Sequence, residues 1–144
     1  MTVHTITEAL GGKKILKRAV ASSAELISIT REGLPAGILP NLATELSIDR
    51  ASVARVVGIS GRTLSRRIAS NSRLSAEESD RTVRLARVLA LAKDTLGDND
   101  KASRWLKTPN RVLEDHTPFE LLDTDAGVQS VETVLGRIAY GVYS

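Results

Sequence analysis

Cysteine is absent from this sequence, so neither a disulfide framework nor a thiolate site is open to it. No apolar run approaches the ~20 residues needed to cross a bilayer. The opening stretch, MTVHTITEALGGKK, has no charged start followed by an apolar segment. No secretory signal is therefore expected, and the expected compartment is the cytoplasm, with no membrane contact. Histidine occurs only at positions 4 and 116, and neither a G-x-x-x-x-G-K-[ST] phosphate loop nor a G-x-S-x-G elbow is present. His116 lies among acidic residues in EDHTPFE and reads as a solvated loop histidine rather than a general base. Catalysis has little to work with, and no cofactor or metal is implied.

Aromatic residues are equally scarce. The chain has four: Trp105, Phe119, Tyr140 and Tyr143. Two of them fall within RIAYGVYS, the last eight residues, where a terminus frays unless something ties it down. Either both tyrosines fold back onto the core or they reach a partner. For Tyr140 the two options stand level, and for Tyr143 the partner is favoured.

What is present begins with charge. Residues 1–73 carry 11 Lys and Arg against 5 Asp and Glu, a net of +6, whereas residues 74–144 carry 9 against 12, a net of −3. A basic front and a mildly acidic rear suit two different partners, one of them an anionic polymer. Chance scatter of surface charge would look the same.

Periodicity predicts helices almost throughout. Ser22 and Glu25 open one that runs to about Glu32. The next begins between residues 36 and 39, with Pro40 in its unbonded first turn. Ser75 and Glu78 form a capping box, and Thr82, Leu85, Leu89, Ala92 and Leu96 make one buried stripe up to the stop at Gly97. A second box, TPFE, covers 117–120. The last helix starts near Asp125, with Val128, Val131, Leu135 and Ile138 inward, and Val142 too if it persists past Gly141. Asp123 and Asp125 sit where helix N-caps belong, which is preferred to a metal site. KKILKRAV at 13–20 could be extended or helical. The fold class is all-α, a helical bundle.

DRASVARVVGISGRTLSRRI, residues 49–68, has the makings of a helix-turn-helix. Ala54 is the small residue where the helices approach and Gly58 is the turn. Val53, Val57, Ile59 and Leu64 fill the angle, Ser60 caps the second helix, and the last apolar contact falls on Ile68. That second helix exposes Arg62, Thr63, Ser65, Arg66 and Arg67, without an acid among them. Arg62 and Thr63 are placed to read base edges of double-stranded DNA, and Arg66 and Arg67 to hold phosphates. An ordinary hairpin with a solvated basic face is the alternative. Lys13, Lys14, Lys17 and Arg18 could add a backbone-gripping arm or simply be solvated.

The rear half carries WLKTPNRVL (105–113), TPFELLDTDAG (117–127) and VETVLGRIAYGVYS (131–144). These segments resemble the C-terminal domain of the Xre/MbcA/ParS family of bacterial antitoxins. The family shows W-L-x-x-P-N-x-x-L, then T-P-x-x-L-L-D-T, then a helix ending G-x-I-x-Y-G. Here those elements are Trp105, Leu106, Pro109, Asn110 and Leu113; Thr117, Pro118, Leu121, Leu122, Asp123 and Thr124; and Gly136, Ile138, Tyr140 and Gly141. The sequence departs from the family at Pro40, within a commonly continuous helix, and at EDH (114–116), in place of a glycine-containing turn. The resemblance implies an N-terminal extension at 1–22, an Xre-type DNA-binding domain at 23–90 and a toxin-binding domain at 91–144. It also implies a partner, a RES-domain toxin that degrades NAD⁺, whose active site the C-terminal domain would cover. Toxin contacts would come from Trp105, Pro109, Asn110, Leu121, Asp123, Arg137, Tyr140, Gly141, Tyr143 and Ser144. Ser60, Arg62, Thr63, Ser65, Arg66 and Arg67 would bind promoter DNA for repression, as a homodimer. A stand-alone regulator whose rear domain only dimerises is the competing reading, and a helical hydrolase using the acids at 114–125 a remote third.

Overall fold

A computed structural model describes residues 2–141. Tyr143, Ser144 and Val142, which the sequence assigns to a partner contact or to the last helical stripe, lie outside the described residues. Among those described, the chain forms nine α-helices, two 3-10 turns and two isolated β-bridges. The helices are α1 (Val3–Ala9), α2 (Gly12–Leu16), α3 (Ser23–Glu32), α4 (Ile38–Leu46), α5 (Arg50–Val57), α6 (Gly61–Ala69), α7 (Ala76–Leu96), α8 (Asn99–Lys107) and α9 (Asp125–Ala139). The 3-10 turns, Arg111–Leu113 and Phe119–Asp123, join α8 to α9. The all-α expectation holds.

Local chemistry starts most of the helices. The side chains of Ser22, Asp49, Ser60, Ser75, Asp98 and Thr124 each accept the backbone N–H three residues on, satisfying one of the orphan donors at a helix start. At Asp49 hydrogen bonds from the Ser52 hydroxyl and backbone N–H hold the carboxyl below its usual range. The cap of α9 belongs to Thr124, not to its acidic neighbours. Thr124 Oγ1 accepts from Gly127 N–H at 3.0 Å, while Asp123 and Asp125 turn outward to arginines. Pro40 is the third residue of α4, inside the turn that has no intrahelical N–H bond to lose.

The 21-residue α7 is the axis of the molecule. It packs against α1, α3, α5, α8 and α9. Thr82, Leu85, Leu89 and Ala92 of its predicted stripe are buried, and Leu96 at its end is half-buried. From α9 it receives Val128, Val131 and Leu135, with Val134 beside them. One apolar cluster thus connects front and rear halves. The first 22 residues join it. α1 lies along α7, and Ala9, Leu10, Leu16 and Val20 are all buried. In KKILKRAV, only the part within α2 is helical.

Buried polar groups on these helices fasten the loops. Ser79 Oγ accepts from Leu34 N–H at 2.8 Å, and the Ser103 hydroxyl donates to Leu46 O at 2.6 Å. Each has a partner, so its burial costs little. Two rear elements differ from expectation in kind. The TPFE box closes as predicted, with Thr117 Oγ1 accepting from Glu120 N–H and Glu120 Oε1 accepting from Thr117 N–H, but it opens a 3-10 turn rather than an α-helix. The last helix stops at Ala139, and Gly141 follows at φ +72.

Candidate functional site

The helix-turn-helix is α5, the turn 58–60 and α6. Val53, Ala54, Val57, Ile59 and Leu64 are buried in the angle between the helices, and Ile68 packs at its edge. Gly58 takes φ +93, a left-handed conformation that closes α5 through bonds from its N–H to Ala54 O and Arg55 O. A side chain there would also collide with Arg81, whose Nη1 lies 2.6 Å from where a Cβ would sit. Arg81 reaches over from α7 to donate to Val57 O at 3.3 Å, placing a cation at the negative end of α5.

On α6, Arg62, Ser65, Arg66 and Ala69 are exposed at helical spacings of three and four, which makes one face. Ser60 caps the helix, its hydroxyl bonded to both Thr63 N–H and Thr63 Oγ1 at 3.0 and 2.9 Å, so Thr63 is half-buried beside that face. The side chains of Arg62 and Arg66 have no ion-pair partner among the described residues. Arg67 does not join them. It points to α7 and pairs with Glu78 Oε1, the atom that also accepts from Ser75 N–H in the α7 capping box. The sequence groups Arg66 and Arg67 by adjacency, but a step of one residue turns about 100° around a helix. In the front segment Arg18 is likewise engaged, with Glu32 at 3.2 Å.

The rear residues occupy three places. Trp105 packs half-buried on α8 against the core, and exposed Pro109 follows that helix. Asn110 builds the next loop: its Oδ1 accepts from Val112 N–H, its carbonyl from Asp115 N–H, and its own N–H bonds to His116 O. Glu114 and Asp115 there take φ of 57 and 64, the left-handed geometry that a glycine would supply more cheaply. His116 is exposed, with Nδ1 3.0 Å from Glu120 Oε1. Leu121 and Asp123 sit in the Phe119–Asp123 turn, Leu121 half-buried and Asp123 3.5 Å from Arg55 of α5. Arg137 is exposed near the far end of α9, and Tyr140 caps that end at 89 % exposure. Asp123 and Tyr140 therefore lie at opposite ends of a helix about 22 Å long. They do not form one patch.

Sequence reading missed Val112. It is 50 % exposed, one of three large exposed hydrophobics among the described residues, with Ile27 and Tyr140. It is the middle residue of the three-residue turn Arg111–Leu113, a segment too short to give a periodic signal. Among the described residues, no group of His, Asp and Glu could hold a metal ion, and no helix is long and apolar enough to cross a membrane.

A helix-turn-helix packed through one long helix onto a small helical domain with an exposed terminal aromatic defines a two-part binding protein. The comparisons with known proteins agree on both parts. Residues 25–87 match the antitoxin Xre-like helix-turn-helix domain, and residues 91–141 match the antitoxin Xre/MbcA/ParS C-terminal toxin-binding domain. Antitoxin Xre of Photorhabdus laumondii is 37 % identical over 86 % of this chain and 84 % of its own length. Antitoxin Xre of Yersinia enterocolitica is 34 % identical over 83 % and 81 %. In structure the chain resembles one from the crystal structure of the M. tuberculosis MbcT-MbcA toxin-antitoxin complex, with TM-score 0.56 and 28 % identity over 76 % of this chain and 96 % of that one. The chain belongs to the Xre/MbcA/ParS antitoxin family. It is an antitoxin, not an enzyme.

Proposed function

We propose that this antitoxin blocks the active site of a RES-domain toxin that degrades NAD⁺, and represses the promoter the two share. The observation that carries the toxin reading is Tyr140. It is the most exposed large hydrophobic residue described and lies within the segment matching the toxin-binding domain. Tyrosine supplies a large apolar contact with a polar tip at small entropic cost, as interface anchors do. Repression is supported by the unpaired arginines of α6. In this reading residues 23–90 bind DNA and residues 91–144 bind the toxin in the cytoplasm. A single helix-turn-helix spans few base pairs, so the working form is a homodimer on two half-sites; light scattering finding a monomer both free and on DNA would count against that.

Truncation before Tyr140 tests whether this end of the chain blocks the toxin. The shortened chain keeps promoter binding, because the helix-turn-helix has its own packed angle, but loses at least ~100-fold in toxin affinity. Burial of two tyrosines at roughly 25 cal/mol per Å² supports a loss of that size even after ordering costs. A truncated protein that melts normally and still protects cells from the co-expressed toxin moves the contact to residues 105–125, where Trp105, Pro109, Asn110, Leu121 and Asp123 lie.

A further inference from the structure

Beyond α6 the chain turns through a small cleft of about 120 Å³, lined by Lys17, Pro35, Asn71, Ser72 and Arg73. No carboxylate lines it. At this volume it is well below the size of a small-molecule pocket but has room for one tetrahedral anion. Its walls come from three separate segments and are fixed by backbone bonds. Ser72 O accepts from Ala36 N–H at 3.1 Å, Leu74 N–H donates to Leu34 O at 2.7 Å, and Pro35 bridges to Arg73. Lys17 is held at the end of α2 by its N–H bond to Lys13 O.

Basic residues at a helix end often serve only to offset the helix dipole. Here that role is already filled at α6. The carbonyls of Arg66, Arg67 and Ile68 accept from Ser70, Ser72 and Asn71 N–H at 3.1, 2.8 and 3.1 Å. Arg73 uses Nη1 on Gly33 O at 2.8 Å, which orients its guanidinium and leaves other N–H groups to donate. The Lys17 ammonium has no ion-pair partner among the described residues. Two cationic residues thus line a preformed cleft at the C-terminal end of α6, the helix that exposes Arg62, Ser65 and Arg66.

We propose that Lys17 and Arg73 clamp one phosphodiester of the DNA backbone and so fix the register of α6 on the duplex. The inference rests on the DNA-binding reading of α6. Phosphate contacts position a protein on DNA, while base contacts specify the sequence. In this design the N-terminal segment is part of the DNA-binding surface.

The test is duplex binding by the full chain at several salt concentrations, on DNA from its own promoter and on an unrelated duplex. Lys17→Gln, which leaves the Arg73–Gly33 bond intact, is measured beside a Lys17→Gln, Arg73→Gln double variant, with thermal melting as control. Both variants are expected to weaken promoter and unrelated DNA by the same factor. Each loses about 1 from the slope of log affinity against log salt, as removal of one phosphate contact requires. Arg62→Ala, in contrast, is expected to weaken the promoter selectively. Unchanged affinity and slope in a Lys17→Gln variant that melts normally, while wild type binds promoter DNA, overturns the clamp and leaves the α6 reading standing. No duplex binding by wild type overturns both. Saturable binding of inorganic phosphate at constant ionic strength, with full DNA affinity in the variants, assigns the cleft to a free anion and also overturns the clamp.

Discussion

Arg67 on α6 and Glu78 on α7 form an ion pair whose carboxylate also closes the capping box at Ser75. The pair links the end of the helix-turn-helix to the start of the axial helix. Burial by itself would raise the Glu78 pKa. The hydrogen bonds from Arg67 and the Ser75 N–H outweigh it and hold the carboxyl below its ordinary 4.5.

That sign fixes a pH dependence. A depressed folded-state pKa means stability that is complete above the unfolded value and is lost as pH falls through the folded one. Replacing Glu78 by Gln should therefore lower stability near neutral pH by roughly 1–2 kcal/mol. The gap to wild type should close below about pH 4.5. Denaturant melts of both proteins across this range check it, and a gap that is constant with pH would contradict the assignment.

Arg62→Ala should cost ~1–3 kcal/mol on the promoter site and relax its specificity, whereas Arg66→Ala should weaken all duplexes alike and flatten the salt dependence. Fluorescence titrations on labelled duplexes resolve the two. An Arg62→Ala, Arg66→Ala double variant with wild-type affinity would remove α6 from the DNA surface.

Gly127 stands where α9 meets the Phe119–Asp123 turn. A Cβ there would lie 1.7 Å from Leu121 O, a backbone atom with no room to yield cheaply. Gly127→Ala should destabilise the protein by about 2 kcal/mol or more despite the better helix propensity of alanine. A melting temperature equal to or above wild type would show that the two elements are not held in this contact.

Glu114 sits at φ 57, outside the family's glycine-containing pattern. Left-handed geometry costs a side chain about 1–2 kcal/mol, and glycine returns part of that gain through its larger unfolded-state entropy. Glu114→Gly should raise stability by about 0.5–1 kcal/mol, read as a melting shift of a few degrees.

The openings of α3, α6 and α7, the helix-turn-helix angle and the antitoxin family were determined by sequence alone. Caps such as Ser60 and Ser75 act on N–H groups three residues away, the apolar stripe of α7 repeats along one helix, and the family motifs are contiguous strings. Tertiary structure decided what depends on distant partners. It drew Val3–Ala9 onto α7, since a seven-residue helix gains its stability by packing rather than propensity. It separated Arg67 from Arg66 by giving Glu78 to one of them. It paired the two aspartates flanking the α9 start with Arg55 and Arg84, while Thr124 between them makes the cap. It also left Tyr140 in solvent at the end of α9, a choice open in the sequence because a helix stripe cannot show where its neighbours stop.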